Sequence, residues 1–131
     1  RWASGGLLSR NGALFFPETS DYPQNIPVVT AAPGLHHEVA DKLLLFSQSL
    51  LLAKLEIKEL EINDRGVWVM TLNHDLKLIL GRQQLAQRVD RFVAVLPRIG
   101  DERHIATVDL RYAKGMAVQM KKDFSGNKAN G

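Results

Sequence analysis

Apolar residues recur at helical spacing in a leucine-rich stretch from His36 to Lys54. This stripe consists of Val39, Leu43, Phe46, Leu50 and Ala53. Steps of three and four residues are typical of one face of an α-helix. Four further leucines, Leu44, Leu45, Leu51 and Leu52, widen the stripe beyond one face. The pattern therefore predicts a largely buried helix that packs against a sheet.

A second helical stretch is predicted from about Gln83 to Leu96. Its apolar positions again follow steps of three and four: Leu85, Val89, Phe92, Val93 and Leu96. Pro97 follows directly, and a proline has no backbone N–H to continue a helix. We expect the second helix to end there.

Alternating patterns between the two helices predict three consecutive strands. The segments "VWVMTL" and "LKLILG" have the period of two that marks a strand, and Asn73-His74-Asp75 joins them as a hairpin. The preceding "LEIKELEI" changes parity midway, which predicts a bulge. The turn "NDRG" separates it from the hairpin.

The N-terminal region predicts a hairpin followed by an extended linker. Leu7-Leu8 and the segment from Leu14 to Phe16 flank Asn11-Gly12, a pair that suits a tight turn with positive φ angles. Residues 17–34 hold four of the five prolines, so they are predicted to cross the fold as a linker. Within this linker "IPVV" predicts a short strand.

The stretch "VDLRYAKGMAVQMKK", residues 108–122, predicts a last hairpin. Val108, Leu110 and Tyr112 share one face of its first strand, and Ala113-Lys114 with a left-handed Gly115 would form a three-residue loop. In the second strand an apolar face (Met116, Val118, Met120) alternates with Ala117, Gln119 and Lys121. The pattern leaves open whether this strand pairs inside the sheet or forms an edge that accepts a partner strand.

The order of elements predicts an α+β fold, with two helices packed on a mostly antiparallel sheet. Runs of adjacent strands favour antiparallel pairing. The length of 131 residues indicates one domain. We expect this domain to comprise residues 1–122, followed by a disordered tail at residues 123–131.

Composition narrows the possible classes of protein. No cysteine is present, which excludes disulfides, zinc–thiolate sites and thiol nucleophiles. The longest apolar run is too short and too polar to span a bilayer. The chain also shows no signal peptide and starts at Arg1, so we expect a piece of a longer protein. The net charge of +3 lies entirely in residues 98–131, which leaves a small basic nucleic-acid-binding module as an alternative to an ordinary basic edge.

Candidate catalytic residues do not form a convincing set. His37 and Asp41 are four apart on the first predicted helix, but a zinc site needs about three protein ligands. Ser47 and Ser49 lie within that helix, without a turn that would expose a nucleophile. Glu56, Glu59 and Glu61 fit the polar face of a half-buried strand. We therefore predict a binding or structural module with no enzymatic activity, cofactor or metal.

Five segments in order resemble the FtsQ/DivIB family of bacterial cell-division proteins. They are "RWASGGLLSRNGALF", "IPVVTAAPGLHHEV", "WVMTLNHDLKLILGR", "QRVDRFVAVLP" and "VDLRYAKGMAVQM". The resemblance covers about residues 1–120. It implies the β domain of a divisome scaffold whose transmembrane helix and POTRA domain lie outside this chain. It also implies a periplasmic location at the division septum, with the native protein anchored by one helix in the inner membrane.

The resemblance further implies a partner and a docking site. In this family the β domain binds the FtsB–FtsL pair, and a segment of FtsB adds a strand to the final strand of the sheet. The residues implied by position are Arg65, Arg111, Tyr112, Lys114, Gly115, Met116, Ala117, Val118, Gln119 and Met120. Arg65 and Arg111 would pair with FtsB carboxylates. Met120 and Lys114 stand where close relatives often have tryptophan and serine, so affinity and specificity are expected to differ.

Overall fold

The structure, a computed structural model, describes residues 7–8, 14–15, 26–32 and 34–122. It contains both predicted helices and the predicted strands. The helices are α1 (His36–Leu51) and α2 (Leu85–Ile99). The strands are β1 (Leu7–Leu8), β2 (Leu14–Phe15), β3 (Val28–Thr30), β4 (Ile57–Ile62), β5 (Trp68–Leu72), β6 (Lys77–Gly81), β7 (Ile105–Asp109) and β8 (Ala117–Met120). Short 3₁₀ turns at Asn73–Asp75 and Glu102–His104 complete these elements.

A six-stranded sheet in the order β3-β4-β5-β6-β7-β8 organises the fold. The pairs β4–β5, β5–β6 and β7–β8 are antiparallel, whereas β3–β4 and β6–β7 are parallel. Each parallel pair is connected through one helix, as parallel strands require a crossover. The predicted α+β class, with two helices and a mostly antiparallel sheet, is therefore confirmed.

One apolar core lies between the two helices and one face of the sheet. Phe46 of α1 and Phe92 of α2 are fully buried with strand residues such as Met70 and Leu78. Phe46 meets Trp68 edge to face, with ring centroids 6.1 Å apart, a geometry that aromatic rings favour. The opposite face of the sheet carries half-buried and exposed residues, so the sheet is covered on one side in the described part of the chain.

The widened leucine stripe of α1 does not bury as predicted. Leu44, Leu45, Leu51 and Leu52 are 49%, 44%, 72% and 81% exposed. The reason is geometric, because a helix lying on a sheet presents only one side to it. The narrower stripe through Val39, Phe46 and Leu50 is buried.

The predicted ends of α2 were wrong at both termini. The helix begins at Leu85, after Gln84 adopts a left-handed conformation with φ 53. It continues through Pro97 to Ile99 and stops at Gly100, whose φ is 126. A proline this close to the C-terminus removes one intrahelical bond without preventing the last turn, since the Gly100 N–H still reaches the Leu96 carbonyl.

The N-terminal predictions are partly tested. β1 and β2 pair antiparallel, with Leu7 opposite Phe15, and "IPVV" supplies β3. The register shift after Ile57 confirms the predicted bulge in β4. The Asn11-Gly12 turn, most of the linker and residues 123–131 lie outside the described residues. Within the described ranges, neither helix has the length and apolar character needed to cross a bilayer.

Candidate partner-docking site

β8 forms one edge of the sheet. In the described residues it is hydrogen-bonded to β7 alone, with Val118 opposite Val108 and Gln119 opposite Thr107. Ala117, Val118 and Gln119 are exposed, and Met120 is half-buried. The sequence left the edge question open, and the fold places the last strand at the edge.

Two hydrogen bonds establish which backbone groups of β8 face outward. The Lys121 N–H, directly after β8, donates to the carbonyl of His104 over 2.9 Å and so points toward β7. Successive strand residues direct their N–H and C=O groups to alternate sides. The backbone N–H and C=O of Gln119 therefore point toward β7. Those of Val118 and Met120 point away from β7, to the open edge of the sheet.

The opposite strand gives the same result. The Leu110 N–H donates to the carbonyl of Ile79 in β6 over 2.9 Å. Because neighbouring residues alternate, Asp109 and Thr107 direct their backbone groups to β8, where they are opposite Ala117 and Gln119. The outward N–H and C=O groups of Val118 and Met120 are the ones an added strand would meet.

Side chains divide between the two faces as the sequence predicted. Met116 and Met120 pack against the core, and Val118 lies on the same side, opposite the buried Val108. Val118 remains 38% exposed because no strand covers the edge beside it in the described part of the sheet. A surface depression of about 250 Å³ is lined mainly by residues of the other face, Ile79, Thr107, Asp109, Ala117 and Gln119, together with Val118 between the last two.

Seven residues, 110–116, connect β7 to β8, so the predicted three-residue hairpin loop was wrong. We refer to these residues as the 110–116 loop. β7 ends at Asp109, earlier than predicted, where its pairing with β8 stops opposite Ala117. Leu110 is fully buried, and its N–H continues the ladder with β6 by donating to the Ile79 carbonyl. Tyr112, predicted on the apolar face, is 52% exposed. Gly115 has the predicted positive φ, 76, and Lys114 beside it is exposed.

Arg91 of α2, which is half-buried, contacts the 110–116 loop. Its Nη2 donates to the carbonyls of Leu110 (2.9 Å) and Tyr112 (3.1 Å), and its Nη1 donates to the carbonyl of Ala113 (3.2 Å). Its Nε is buried without a hydrogen-bond partner. One side chain thus holds three loop carbonyls.

Four arginines line a cavity of about 610 Å³ at the end of the sheet next to this loop. We call it the arginine pocket; its lining residues are Arg65, Val67, Gly81, Arg82, Gln83, Arg88 and Arg111. Arg65 and Arg111, far apart in sequence, line it together as the predicted partner contacts would require. None of the lining residues is acidic, so the pocket favours an anionic group.

Turn and strand geometry position the members of the pocket. The Asn63 side chain accepts hydrogen bonds from the N–H groups of Arg65 (2.9 Å) and Val67 (3.0 Å), which shapes the β4–β5 turn. Gly81, at the end of β6, has φ 85. Arg82 follows Gly81. Arg88, in the first turn of α2, donates a hydrogen bond to the Leu80 carbonyl.

Asp109 holds Arg111 at the mouth of the pocket. Nε and Nη2 of Arg111 donate to its two carboxylate oxygens over 2.9 and 2.8 Å, and the Arg111 N–H also donates to it over 3.1 Å. These hydrogen bonds hold the pKa of Asp109 below its usual value, and the more distant charge of Arg88 acts in the same direction. The ion pair leaves part of the guanidinium exposed, since the Arg111 side chain retains 52% of its accessible surface.

Three residues in this region escaped the sequence prediction: Arg82, Arg88 and Arg91. The sequence placed Arg88 and Arg91 off the apolar stripe of the second helix and gave them no role. For Arg88 and Arg91 the available signal was their spacing of three residues, which places both on one side of the predicted helix. The other candidates stay dispersed: Glu59 and Glu61 are exposed on β4, and no group of three or more potential metal ligands occurs among the described residues.

Comparison with known proteins gives one consistent result. The family model of the cell division protein FtsQ/DivIB C-terminal region matches residues 1–111. A cell division protein FtsQ from Coxiella burnetii is 32% identical over 123 residues, covering 92% of this chain and 51% of the relative. The cell division protein FtsQ from Escherichia coli K12 is 32% identical over 124 residues, which cover 90% of this chain and 45% of that relative. The cell division protein FtsQ from Methylomonas methanica is 28% identical over 125 residues, which cover 94% of this chain and 50% of that relative. The chain spans about half the length of these relatives.

Proposed function

The chain belongs to the FtsQ/DivIB family of cell-division proteins, and we propose that it is a non-catalytic docking domain of the divisome. Its partner is the FtsB–FtsL complex, and a segment of FtsB adds a strand to β8. The observation that carries this proposal is the outward backbone of Val118 and Met120 at an edge strand. Strand addition uses such free N–H and C=O groups for affinity and side-chain pockets for specificity.

Exposed side chains beside this edge support the same mode. Tyr112 is half-exposed next to the strand, and tyrosine is among the residues that most often dominate interfaces. A partner side chain placed beside Val118 on the helix side would continue the apolar face, so an apolar residue is favoured there. The residues before and after it would point to the solvent-facing depression.

The arginine pocket would contact acidic residues that flank the added strand. One of its lining residues, Arg111, is in the 110–116 loop and pairs with Asp109, which is opposite Ala117 of β8. Arg65 and Arg82 have no side-chain ion-pair partner among the described residues, so their charges are available to a carboxylate. Lys114 adds a fifth positive charge on the exposed side of the loop.

The proposal includes a cellular setting that follows from the family resemblance. The native protein would span the inner membrane once through a helix outside this chain, with the present domain in the periplasm at the division septum. There it would assemble with FtsB, FtsL and other divisome proteins. The alternative of a small nucleic-acid-binding module is retained because the arginine pocket would also accept phosphate groups.

Titration of the domain with the periplasmic segment of its cognate FtsB tests the proposal. We expect saturable heat in calorimetry, with amides of Val118 and Met120 becoming protected from hydrogen exchange. A scrambled segment of the same composition is the control. Absence of binding at about 1 mM segment, where even about −4 kcal/mol would be detected, would contradict docking.

A DNA duplex titrated over a range of salt concentrations distinguishes the alternative. Phosphate binding imposes a steep salt dependence, with a slope of about −0.9 per neutralised phosphate for duplex DNA. Tight duplex binding with that slope, together with no response to the FtsB segment, would favour the nucleic-acid function.

A further inference from the structure

We propose that Arg91 is a positioning residue that preorganises the 110–116 loop, so that helix α2 sets the affinity of the docking edge. The inference rests on the proposed docking function, because it assigns a role to a residue behind the docking surface. Arg91 itself would not contact the partner. It acts through the loop that carries Arg111, Tyr112 and Lys114.

The loop depends on few contacts within the described chain. Its first residue, Leu110, is buried and bonded to Ile79, and its last, Met116, packs on the core. The residues between them are exposed and lack regular secondary structure. Besides the Asp109–Arg111 pair, the three hydrogen bonds from Arg91 are the side-chain bonds recorded for this stretch.

The shape of arginine suits this position. A planar guanidinium presents five N–H donors in fixed directions, so Nη1 and Nη2 can reach three carbonyls at once. A lysine ammonium is compact and more strongly hydrated and cannot match that fork. Arg91 forms no ion pair with a carboxylate among the described residues. Its hydrogen-bond acceptors are the three loop carbonyls, while its Nε is buried without an acceptor.

Preorganisation is the physical link to docking. Fixing the backbone of a flexible residue costs conformational entropy. If Arg91 holds residues 110–113 before the partner arrives, that cost does not reduce the binding affinity. Without Arg91, the loop would be ordered only on binding, and the start of β8 would be less well defined.

The experiment compares Arg91→Met and Arg91→Lys with the parent domain and with Arg98→Met. Arg98 lies on the same helix, is exposed and has no side-chain hydrogen bond or ion pair within the described part of the chain, so it controls for loss of charge on α2. Hydrogen exchange at residues 111–116 is measured without partner, and affinity and rate constants are measured with the FtsB segment. Leu50→Ala, on α1, controls for loss of stability alone.

We expect faster exchange at residues 111–116 in both Arg91 variants, and affinity reduced roughly 10- to 100-fold, as loss of charge-assisted hydrogen bonds would give. Arg98→Met and Leu50→Ala should bind like the parent at temperatures where they remain folded. Arg91→Lys keeps the charge and much of the stem, so it tests the planar fork even if Arg91→Met folds poorly.

Three results would overturn the inference. One is parent-like exchange and affinity in Arg91→Lys. The other is an affinity loss in Leu50→Ala as large as in the Arg91 variants, since the effect would then follow global stability. The third is unchanged hydrogen exchange of the loop in the Arg91 variants, which rejects the role of Arg91 whether or not the partner binds. If the parent domain itself fails to bind the FtsB segment, the proposed docking at β8 is wrong.

Discussion

Gly81 and Arg88 approach so closely that a Cβ atom on Gly81 would lie 2.6 Å from Nη1 of Arg88. The same added atom would lie 3.1 Å from Cγ of Arg111. The guanidinium of Arg88 is fixed at this point by its hydrogen bond to the Leu80 carbonyl. The absence of a side chain at residue 81 therefore allows two arginines to share the arginine pocket.

Gly81→Ala should destabilise the domain by about 2–4 kcal/mol. The strain of a left-handed conformation contributes about 1–2 kcal/mol, and displacement of Arg88 and Arg111 adds to it. Denaturant unfolding measures the loss. Gly115→Ala is the matched control, because Gly115 has φ 76 but no atom within 4 Å of an added Cβ. Equal costs at the two glycines would show that the close approach is unimportant.

Val118→Pro should abolish binding of the FtsB segment while the domain remains folded. The substitution removes an outward N–H, which is free in the described sheet, and proline is tolerated on edge strands. Gln119→Pro removes an N–H that faces β7 and should instead lower thermal stability. Normal binding by folded Val118→Pro would exclude β8 as the docking edge. Calorimetry and thermal unfolding of both variants give the comparison.

Arg65→Glu should weaken binding of an acidic segment by at least about tenfold, through loss of one charge-assisted contact and addition of a repulsive charge. Lys58→Glu, an exposed charge reversal on β4 outside the arginine pocket, is the control. Both are compared with the parent at low salt, where charge contacts are strongest. The same affinity in all three proteins would remove Arg65 from the docking site.

The Asp109–Arg111 pair predicts a pH dependence of stability. The pKa of Asp109 is lowered in the folded chain, so its contribution is fully present above the unfolded pKa of about 3.9 and is lost as pH falls through the folded value. The difference in unfolding temperature between the parent and Asp109→Asn should be constant at neutral pH and should shrink at acidic pH. A constant difference down to about pH 2 would contradict this linkage.

Leu50→Ala and Leu51→Ala test which side of α1 is covered. Leu50 is fully buried and Leu51 is 72% exposed. The first substitution should cost about 2–5 kcal/mol through a cavity, and the second less than about 0.5 kcal/mol. Chemical denaturation of the two neighbouring variants compares them directly. A large cost at Leu51 would mean that the exposed leucines are covered in the folded protein.

Periodicity predicted the helices and most strands, because an element with one buried face has apolar residues at regular spacing in the sequence. Val39, Phe46 and Leu50 follow that rule. Leu51 and Leu52 do not, because composition alone cannot tell a buried leucine from an exposed one. The two parallel strand pairs were also missed, since the choice between parallel and antiparallel neighbours depends on where the helices cross.

The edge strand of the proposed docking site was predictable in outline and not in detail. The pattern of residues 116–120 indicated a strand with two faces, and the family resemblance implied a partner at this strand, which remains a proposal. The length of the 110–116 loop was not predictable, because the alternation of Val108, Leu110 and Tyr112 fits a longer strand, whereas Tyr112 is exposed in the loop. The hydrogen bonds of Arg91 could not be predicted, because their acceptors are three backbone carbonyls. Every residue has a backbone carbonyl, so a sequence pattern does not show which ones accept a hydrogen bond.

The position of β8 also has a consequence for local unfolding. A strand with one described neighbour can detach by breaking a single ladder, so it belongs to the part of the domain that opens at the lowest free energy. A partner strand would give it a second ladder and make detachment cost more. Occupancy of the edge would then hold the end of the sheet in place, so that protection of β8 from proteolysis and a higher midpoint of global unfolding would rise together with partner concentration.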